Sequence, residues 1–407
     1  MSVKLHTLND PIYGFISIPG QLIFDLVEHP FFQRLRRISQ MGLSHLVYPG
    51  AHHSRFHHAL GCVFLMQKSV QSLRFKGVEI SEAEEEALYI AILLHDIGHG
   101  PFSHAMEHSI VEGIAHEEIS LLFMQQLNTN FNGRLTTAIE IFKGIYPRKF
   151  LCQLVSGQLD MDRLDYLKRD SFYAGTPEGN INAERLISML NVIDDQLVVE
   201  EKGLYSVEKF IIARRFMYWQ VYLHKTGLVA EQLLVKILQR AKELVTNGEA
   251  LSTNTTLAYF LQHQITAQNF TEKTLQVFAK LDDYDIMAAI KEWTAHPDVV
   301  LRSLCERLLN RDLFKIKIKD HPFSEKAISK KETKVIEKYN ISQELLHYFV
   351  IKGTISNQAY NEEKERILLL SKKGKLVDLT EMSDALHNKA ITNSVKKYYL
   401  CYPEVKD

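Results

Sequence analysis

The sequence places a histidine and an aspartate side by side after an apolar run. His95 and Asp96 directly follow the stretch from Ala87 to Leu94, which contains no charged residue. Burying an ionised carboxylate without a partner is costly, so an aspartate in this position needs a nearby cation. Imidazole together with carboxylate suits a divalent metal such as zinc, iron or manganese. An isolated pair of this kind is more often a helix-ending turn beside a core histidine, so the hypothesis needs support from other segments.

Two further segments carry side chains of the same ligand types. His57 and His58 open a helical pattern upstream, and a carboxylate cluster that includes Asp162 lies downstream. In a helix, Asp162 and Tyr166 are four residues apart and share a face. Donors from three helices could surround one metal ion and leave positions open for water and substrate, which metal-assisted hydrolysis requires. Spacing alone does not establish that the three helices meet.

Length and composition bound the class of protein. A chain of 407 residues exceeds one typical core, so two or three subdomains are expected. A hydrophobic content of 46% and a charged content of 24% are those of an ordinary globular protein. The formal net charge of -1 gives no electrostatic reason to expect nucleic-acid binding, because counterion release needs a basic surface.

The cysteines and the N-terminal segment indicate the compartment. The four cysteines are scattered and form no CxxC pair, which argues against a thiolate zinc site and against a disulfide framework. The segment from Met1 to Gly20 lacks a basic stretch followed by an apolar one, so no signal peptide is expected. The apolar run from Ala87 to Leu94 is far shorter than the roughly 20 residues that span a bilayer. We therefore predict a cytoplasmic protein without a membrane partner.

Helical patterns dominate the segments that must position these side chains. Ser81 and Glu84 form a capping-box pattern that opens a helix through Leu94. Asp194 and Asp195, followed by an apolar stretch, predict a β-hairpin. Further helices are predicted at Val27–Met41, Phe56–Phe75 and across the region Val207–Val245, with three or four more between Thr256 and Leu309. From Leu313 onward the pattern alternates and predicts a smaller α+β part.

Six short motifs together resemble one known family. They are Asp10–Gly14, Phe32–Arg36, Tyr48–Ala51, Arg55–Gly61, His95–His104 and Asp162–Tyr166. The combination resembles the HD-domain phosphohydrolase superfamily, in the branch of deoxynucleoside triphosphate triphosphohydrolases that includes animal enzymes with an additional SAM domain. The resemblance runs from about residue 8 to about residue 320 and is thin beyond it.

The resemblance implies a mainly α fold in four parts. It consists of an HD-domain helical core and a smaller α+β C-terminal part. The parts are an N-terminal segment packing on the core (1–50), the HD catalytic domain (51–240), a helical extension (241–320) and the smaller α+β part (321–407).

The same resemblance implies a metal-dependent reaction. Metal-activated water would attack the α-phosphorus of a deoxynucleoside triphosphate (dNTP), releasing deoxynucleoside and triphosphate. The implied ligands of a zinc, iron, manganese or nickel ion are His58, His95, Asp96 and Asp162, and magnesium would accompany the substrate phosphates. The implied catalytic residues are His99, His104, Glu107 and His116. His104 is our candidate general acid, because a histidine can deliver a proton near neutral pH. Glu107 departs from the aspartate of the animal enzymes.

Residues for substrate and effector follow in the same way. Arginine forks suit a triphosphate, and an aromatic face suits a deoxyribose. The implied substrate-binding residues are Gln40, Arg55, Arg163, Tyr166, Lys168, Asp170, Arg214 and Tyr222. Relatives are allosteric homo-oligomers activated by nucleotides, so a dimer or tetramer with a GTP or dNTP effector is expected. The implied effector-binding residues are Glu28, Gln33, Arg36, Arg311 and Lys315.

Two alternatives remain at this stage. An HD-type phosphomonoesterase or phosphodiesterase acting on another nucleotide would keep the metal site and change the bond that is broken. A non-catalytic nucleotide-sensing or nucleic-acid-binding regulator would keep only the fold, and the complete ligand set and neutral net charge count against it.

Overall fold

Helices form most of the chain in the computed structural model, which describes residues 6–102, 106, 109, 111–360, 365–383 and 394–404. The described α-helices are α1 (Gln21–Glu28), α2 (Pro30–Gln33), α3 (Arg55–Phe75), α4 (Glu82–Leu94), α5 (His116–Asn130), α6 (Thr136–Phe142), α7 (Lys149–Val155), α8 (Met161–Ala174), α9 (Ala183–Met189), α10 (Leu204–Met217), α11 (Lys225–Thr246), α12 (Thr255–Gln262), α13 (Glu272–Phe278), α14 (Asp283–Trp293), α15 (Val299–Leu309), α16 (Glu325–Tyr339) and α17 (Leu379–Met382). A π-helix at Tyr218–Tyr222 joins α10 to α11. The predicted mainly α fold with a smaller α+β part is confirmed.

Small sheets complete the fold. The described strands are β1 (His6–Asp10), β2 (Gly14–Ile18), β3 (Val111–Glu112), β4 (Leu190–Ile193), β5 (Gln196–Glu200), β6 (Ile265–Thr266), β7 (Lys315–Lys319), β8 (Ile351–Asn357), β9 (Leu368–Leu370), β10 (Leu376–Asp378) and β11 (Val395–Tyr402). β1 and β2 form a hairpin, β3 pairs with β6, and β7, β11 and β8 form a sheet in that order. The fourth sheet has the order β10-β9-β5-β4, so the C-terminal part adds two strands to the predicted hairpin.

The hairpin of β4 and β5 follows from its turn residues. Asp194 and Asp195 both have positive φ angles, 48° and 60°. Two consecutive positive φ angles are the conformation of a type I′ turn, whose twist matches that of the strands it joins. The predicted hairpin is therefore confirmed.

Helices α3, α4 and α8 bring the candidate ligands together. At Gly61 in α3, an added Cβ would lie 2.0 Å from Oδ1 of Asp165 in α8. The absence of a side chain at Gly61 thus allows the two helices to cross closely. α4 begins with the predicted capping box, since the Ser81 side chain accepts from Glu84 N and the Glu84 side chain accepts from Ser81 N.

The predicted helix from Val27 to Met41 is wrong in its extent. His29 is extended (φ -64°, ψ 137°), because the residue before a proline disfavours the helical region. The chain continues as α2 and a 3₁₀ turn that ends at Arg37. Beyond it, Ser39 N donates to Asp283 Oδ2 at 2.8 Å. A tertiary hydrogen bond thus replaces the helical one.

The first residue of α14, Asp283, holds the N-terminal segment against the segment that follows His99. Asp283 Oδ1 accepts from Phe102 N at 2.9 Å, while its other oxygen accepts from Ser39 N. The buried Arg34 donates to Ile97 O at 2.7 Å and to Leu281 O at 3.2 Å. None of the helices among the described residues has the length and apolar character needed to cross a membrane.

Candidate metal centre and substrate pocket

Four predicted ligands reach one point from three helices. His58 lies in the first turn of α3, His95 is the C-cap of α4 with Asp96 next to it, and Asp162 lies in the first turn of α8. Nε2 of His58 lies 3.1 Å from Oδ1 of Asp162 and 3.8 Å from Oδ2 of Asp96. Nε2 of His95 lies 3.6 Å from Oδ1 of Asp162 and 3.5 Å from Oδ1 of Asp96. Ligand atoms about 2.0–2.2 Å from one ion are separated by about 3 to 3.5 Å, so the spacing fits one metal.

The imidazole orientations also fit a metal. Nδ1 of His95 lies 2.7 Å from Ile92 O, and a carbonyl can only accept. Nδ1 therefore carries the proton, and Nε2 of the neutral ring presents a lone pair to the cluster. Within the described part of the chain this Nε2 atom is buried without a hydrogen-bond partner. An unsatisfied buried nitrogen surrounded by carboxylates is what a cation would complete.

The charges of the cluster also favour a bound cation. Burial alone would lower the pKa of His58, but hydrogen bonds with Asp162 and Asp165 raise it well above the ordinary value. Burial would likewise raise the pKa of Asp96, but the charges of His95 and Arg55 hold it well below the ordinary range. A centre that attracts protons to imidazoles and keeps carboxylates ionised also attracts a divalent cation.

A second layer of charges holds the ligands. Oδ2 of Asp165 lies 2.7 Å from Nδ1 of His58 and accepts from Arg169 at 2.8 Å. Arg169 in turn donates to Asp10 at 2.7 Å. On the other side, Arg55 forms a buried ion pair with Asp96. The Asp162 side chain keeps 31% of its surface exposed, so the cluster opens to solvent on that side.

His99 and His116 extend the centre away from the ligands. Nε2 of His99 lies 3.4 Å from Oδ1 of Asp96, and its ring stacks on that of His116 with centroids 3.8 Å apart. Burial and the charge of Arg55 hold the pKa of His99 well below its ordinary value. The other two predicted catalytic residues, His104 and Glu107, lie outside the described residues.

An aromatic and acceptor-lined wall stands beside Asp162. Tyr166, one turn along α8, packs edge-on against Tyr222 with centroids 6.1 Å apart. The Tyr222 hydroxyl donates to Oδ2 of Asp170 at 2.8 Å, and Oδ1 of Asp170 lies 2.7 Å from Nε2 of the buried His53. Gln40 N donates to His53 O at 3.0 Å, and within the described chain Gln40 Oε1 is buried without a partner. The predicted residues Gln40, Tyr166, Asp170 and Tyr222 therefore form one connected group.

The four predicted phosphate-binding cations each have a different setting. Arg55 pairs with Asp96, as described above. Arg163 turns back to the N-terminus of its own helix, where it contacts Gly157 O and Asp160. Arg214 in α10 donates to Gln158 Oε1 at 3.3 Å and lies over the ring of Tyr218. Lys168 lies over the ring of Tyr13 at 4.8 Å, on the side of α8 where a cavity of about 480 Å³ opens beside Pro11 and Ile12.

The predicted effector-binding residues lie at the surface in two groups. Glu28 is exposed at the end of α1, and Arg36 donates to Gln33 Oε1 at 2.8 Å. Arg311 donates to Leu46 O at 2.8 Å, and Lys315 pairs with Glu404 at 3.3 Å.

Several residues of the site escaped the sequence predictions. His53 and Asp165 contact predicted site residues directly, and Cys62 Sγ lies 3.6 Å from Nδ1 of His58. Asp165 carried a signal, because it lies three residues after Asp162 and on a neighbouring helical position. Cys62 carried one as well, because it lies four residues after His58 in the same helix. His53 carried none, since its partner Asp170 lies 117 positions away in the chain.

Comparisons with known proteins agree with this geometry. The HD domain family model matches residues 55–167, and the HD associated region model matches residues 181–268. Uncharacterized protein YwfO of Bacillus subtilis is 34% identical over 390 residues, covering 92% of this chain and 87% of that protein. The crystal structure of a phosphohydrolase from Bacteroides thetaiotaomicron is 48% identical with a TM-score of 0.96, covering 98% of this chain and 100% of that one.

A named relative matches part of the chain. The deoxynucleoside triphosphate triphosphohydrolase SAMHD1 homolog of Dictyostelium discoideum is 31% identical over 264 residues, which are 60% of this chain and 51% of that protein. The chain belongs to the HD-domain phosphohydrolase superfamily and is related to its deoxynucleoside triphosphate triphosphohydrolases. Membership supports a metal-dependent phosphohydrolase activity.

Proposed function

We propose that the protein hydrolyses dNTPs to a deoxynucleoside and triphosphate. The observation that supports this most is that a four-donor metal cluster lies next to a wall of tyrosine rings and hydrogen-bond acceptors. Asp162, a cluster member, lies one helical turn from Tyr166, whose ring meets Tyr222 and, through it, the Asp170 carboxylate.

The wall favours a deoxyribose. Gln40 Oε1 and the Asp170 carboxylate are acceptors, and an acceptor pair calls for a ligand that donates, such as a sugar hydroxyl. The tyrosine rings offer an apolar face, which packs well against a sugar carbon that bears no hydroxyl. A 2′-hydroxyl placed against such a face would lose its hydrogen bonds with water, so a ribonucleotide would bind less well.

The residues of the cluster suit hydrolysis at the α-phosphorus. A divalent ion bound by His58, His95, Asp96 and Asp162 would polarise a phosphoryl oxygen and lower the pKa of a water molecule. In the net reaction, the oxygen of water ends on the triphosphate, the bond between the α-phosphorus and the 5′-oxygen breaks, and a proton goes to that 5′-oxygen. We assign the proton donor to His104, with Glu107 and His116 orienting the histidines around it.

Arginines would hold the triphosphate. Arg55 lies at the metal cluster. Burial and Tyr218 raise the pKa of Tyr166, and the nearby charges of Arg214 and Arg163 lower it. Spread guanidinium groups suit a polyanion, because each can pair with two phosphate oxygens. Lys168 would be a further phosphate ligand, and magnesium would neutralise the remaining negative charge of the triphosphate.

Product identification tests the proposal. The purified protein is incubated with each dNTP and manganese, and the products are separated by anion exchange. We expect deoxynucleoside and intact triphosphate in equal amounts. Stepwise release of single phosphates would instead indicate an HD-type phosphomonoesterase, and the absence of turnover with bound metal would favour a non-catalytic regulator.

Regulation belongs to the same proposal. We propose that Glu28, Gln33, Arg36, Arg311 and Lys315 bind a GTP or dNTP effector between subunits. Light scattering during size-exclusion chromatography, with and without GTP, should detect a dimer or tetramer, and turnover of a dNTP should rise when GTP is added. A monomer under both conditions would contradict this part.

A further inference from the structure

The C-terminal part contacts the elements that carry the substrate-side residues. Ser383 donates to Glu208 in α10, the helix that also carries Arg214. Nζ of Lys397 lies 5.0 Å from the ring centroid of Trp219, in the π-helix that ends at Tyr222. These contacts place Ser383 against α10 and Lys397 against the π-helix that ends at Tyr222.

A second set of contacts joins the C-terminal part to β5 and α7. β9 pairs in parallel with β5, with Leu368 opposite Val198. Just before β9, Glu365 Oε1 accepts from Gln153 Nε2 at 2.9 Å, and Gln153 Oε1 accepts from Leu197 N at 2.8 Å. The segment 365–370 is therefore fixed both to the strand and to the end of α7.

Gln158 connects this segment to the pocket. Its Nε2 donates to Glu365 O at 3.2 Å, and its Oε1 accepts from Nη1 of Arg214 at 3.3 Å. The Gln158 side chain is buried in the loop between α7 and α8, and this loop also provides Gly157 O to Arg163. A single amide thus spans from the C-terminal segment to a predicted phosphate ligand.

We propose that Gln158 is a positioning residue, through which the segment 365–370 of the C-terminal part holds Arg214 in the orientation that binds the substrate triphosphate. A guanidinium binds phosphate through a planar fork, so its affinity depends on the plane in which it is held. The hydrogen bond to Glu365 O holds the Gln158 amide in place, and its Oε1 atom then gives Nη1 of Arg214 a fixed acceptor. This gives the C-terminal part a role in substrate binding, and it rests on the proposed function.

The conservative and the disruptive variants of Gln158 make different predictions. Gln158→Leu keeps the approximate volume and removes both hydrogen bonds. For the metal-loaded full chain we expect about a five- to tenfold rise in KM for dGTP with a smaller change in kcat. Gln158→Glu keeps an acceptor for Arg214 and loses the donor to Glu365 O. Its KM should rise by only about twofold, which is the effect expected from loss of the link to the segment 365–370, whereas a merely structural role would make it as impaired as the leucine variant.

The C-terminal link is tested by a double-mutant cycle. Glu365→Ala removes the bond to Gln153, and we expect about a twofold rise in KM in the wild-type background and none in the Gln158→Leu background. Lys372→Ala, in the exposed turn between β9 and β10, is the matched control and should leave KM unchanged. Additive effects of the two substitutions would overturn the link.

Binding of inorganic triphosphate, measured by calorimetry, separates this inference from the proposed function. If the wild type hydrolyses none of the dNTPs, the proposed function fails, and the variants are judged by triphosphate affinity alone. Wild-type affinity in Gln158→Leu would overturn the positioning role. If Gln158→Leu does not fold, the Glu365→Ala variant against its Lys372→Ala control carries the test.

Discussion

The Nδ1 atom of His58 lies 2.7 Å from Oδ2 of Asp165, and this contact determines which nitrogen of the imidazole faces the cluster. A carboxylate accepts, so Nδ1 holds the proton and Nε2 is left for a metal. We predict that Asp165→Asn lowers metal affinity by about 10- to 100-fold, because the neutral amide orients and polarises the ring less strongly. Competition with a chelator of known affinity measures the effect, and unchanged affinity would contradict the assigned role.

The ligand assignment makes a stronger prediction. His95→Ala and Asp162→Ala should each abolish both metal content and turnover, since each removes one of four donors. Metal analysis by mass spectrometry and a product assay give the two readouts. His57→Gln is the control, because His57 is adjacent to a ligand in sequence but contacts Ser54 at the start of α3. Full activity in either ligand variant would refute the assignment.

The stacked pair of His99 and His116 allows metal binding and proton transfer to be tested separately. His116→Phe keeps a ring against His99 and removes the ring nitrogens. We expect turnover to fall by about 100-fold or more, in the range of general acid–base contributions, with metal content unchanged. A variant with wild-type kcat would remove His116 from the proposed catalytic group.

Glu84 predicts how stability depends on pH. Burial would raise its pKa, but hydrogen bonds from the Ser81 backbone and from Arg148 lower it. A folded-state pKa below the unfolded one contributes stability that is complete above the unfolded pKa and is lost as the pH falls through the folded pKa. Glu84→Gln should therefore cost about 1 kcal/mol at pH 7 and less below about pH 4.

Denaturant unfolding at both pH values measures this difference. Glu82→Gln is the matched control, because Glu82 is exposed in the same first turn of α4. The free energy of unfolding of the control should change little at either pH. An equal cost of Glu84→Gln at pH 7 and at pH 4 would show that its charge does not stabilise the fold.

Gly61 and Gly227 form a matched pair for the helix crossing. A Cβ at Gly61 would lie 2.0 Å from Asp165 Oδ1 and 2.3 Å from Arg169 Nη2. Gly61→Ala should cost at least about 3 kcal/mol, because it separates α3 from α8 and disturbs a buried ion pair. Gly227→Ala meets nothing within 4 Å inside α11 and should stabilise the fold by up to about 1 kcal/mol. Equal melting temperatures for the two variants would argue against a close crossing at Gly61.

Local chemistry made several elements predictable from the sequence. The Ser81 and Glu84 capping box and the Asp194–Asp195 turn depend on side chains within a few residues, and both are found in the structure. The helix predicted to reach Met41 ends earlier in the structure, because tertiary contacts decide the conformation there. Ser39 N and Gln40 N find partners in Asp283 and His53, which no local pattern shows.

In the candidate site, too, some residues were predictable from the sequence and others were not. His58, His95, Asp96 and Asp162 were predicted as one group from family motifs, and the structure brings their donor atoms within 3.8 Å of a neighbour. The support around them was not predicted. The positioning role proposed for Gln158 depends on its hydrogen bond to Glu365 O. Glu365 lies 207 positions away in the chain, in a part where the family resemblance is thin.

Arg34 has a consequence for how this chain can be divided. Its guanidinium is fully buried, lies over the rings of Phe123 and Phe278, and joins carbonyls at Ile97 and Leu281. Burial lowers its pKa to about 9, so it remains charged at neutral pH. An excised fragment spanning 51–240 would lose Arg34, Phe278 and Leu281 together and leave the backbone beside His95 without its donor. A fragment that keeps the backbone beside His95 in place must therefore extend at least from Arg34 to Leu281.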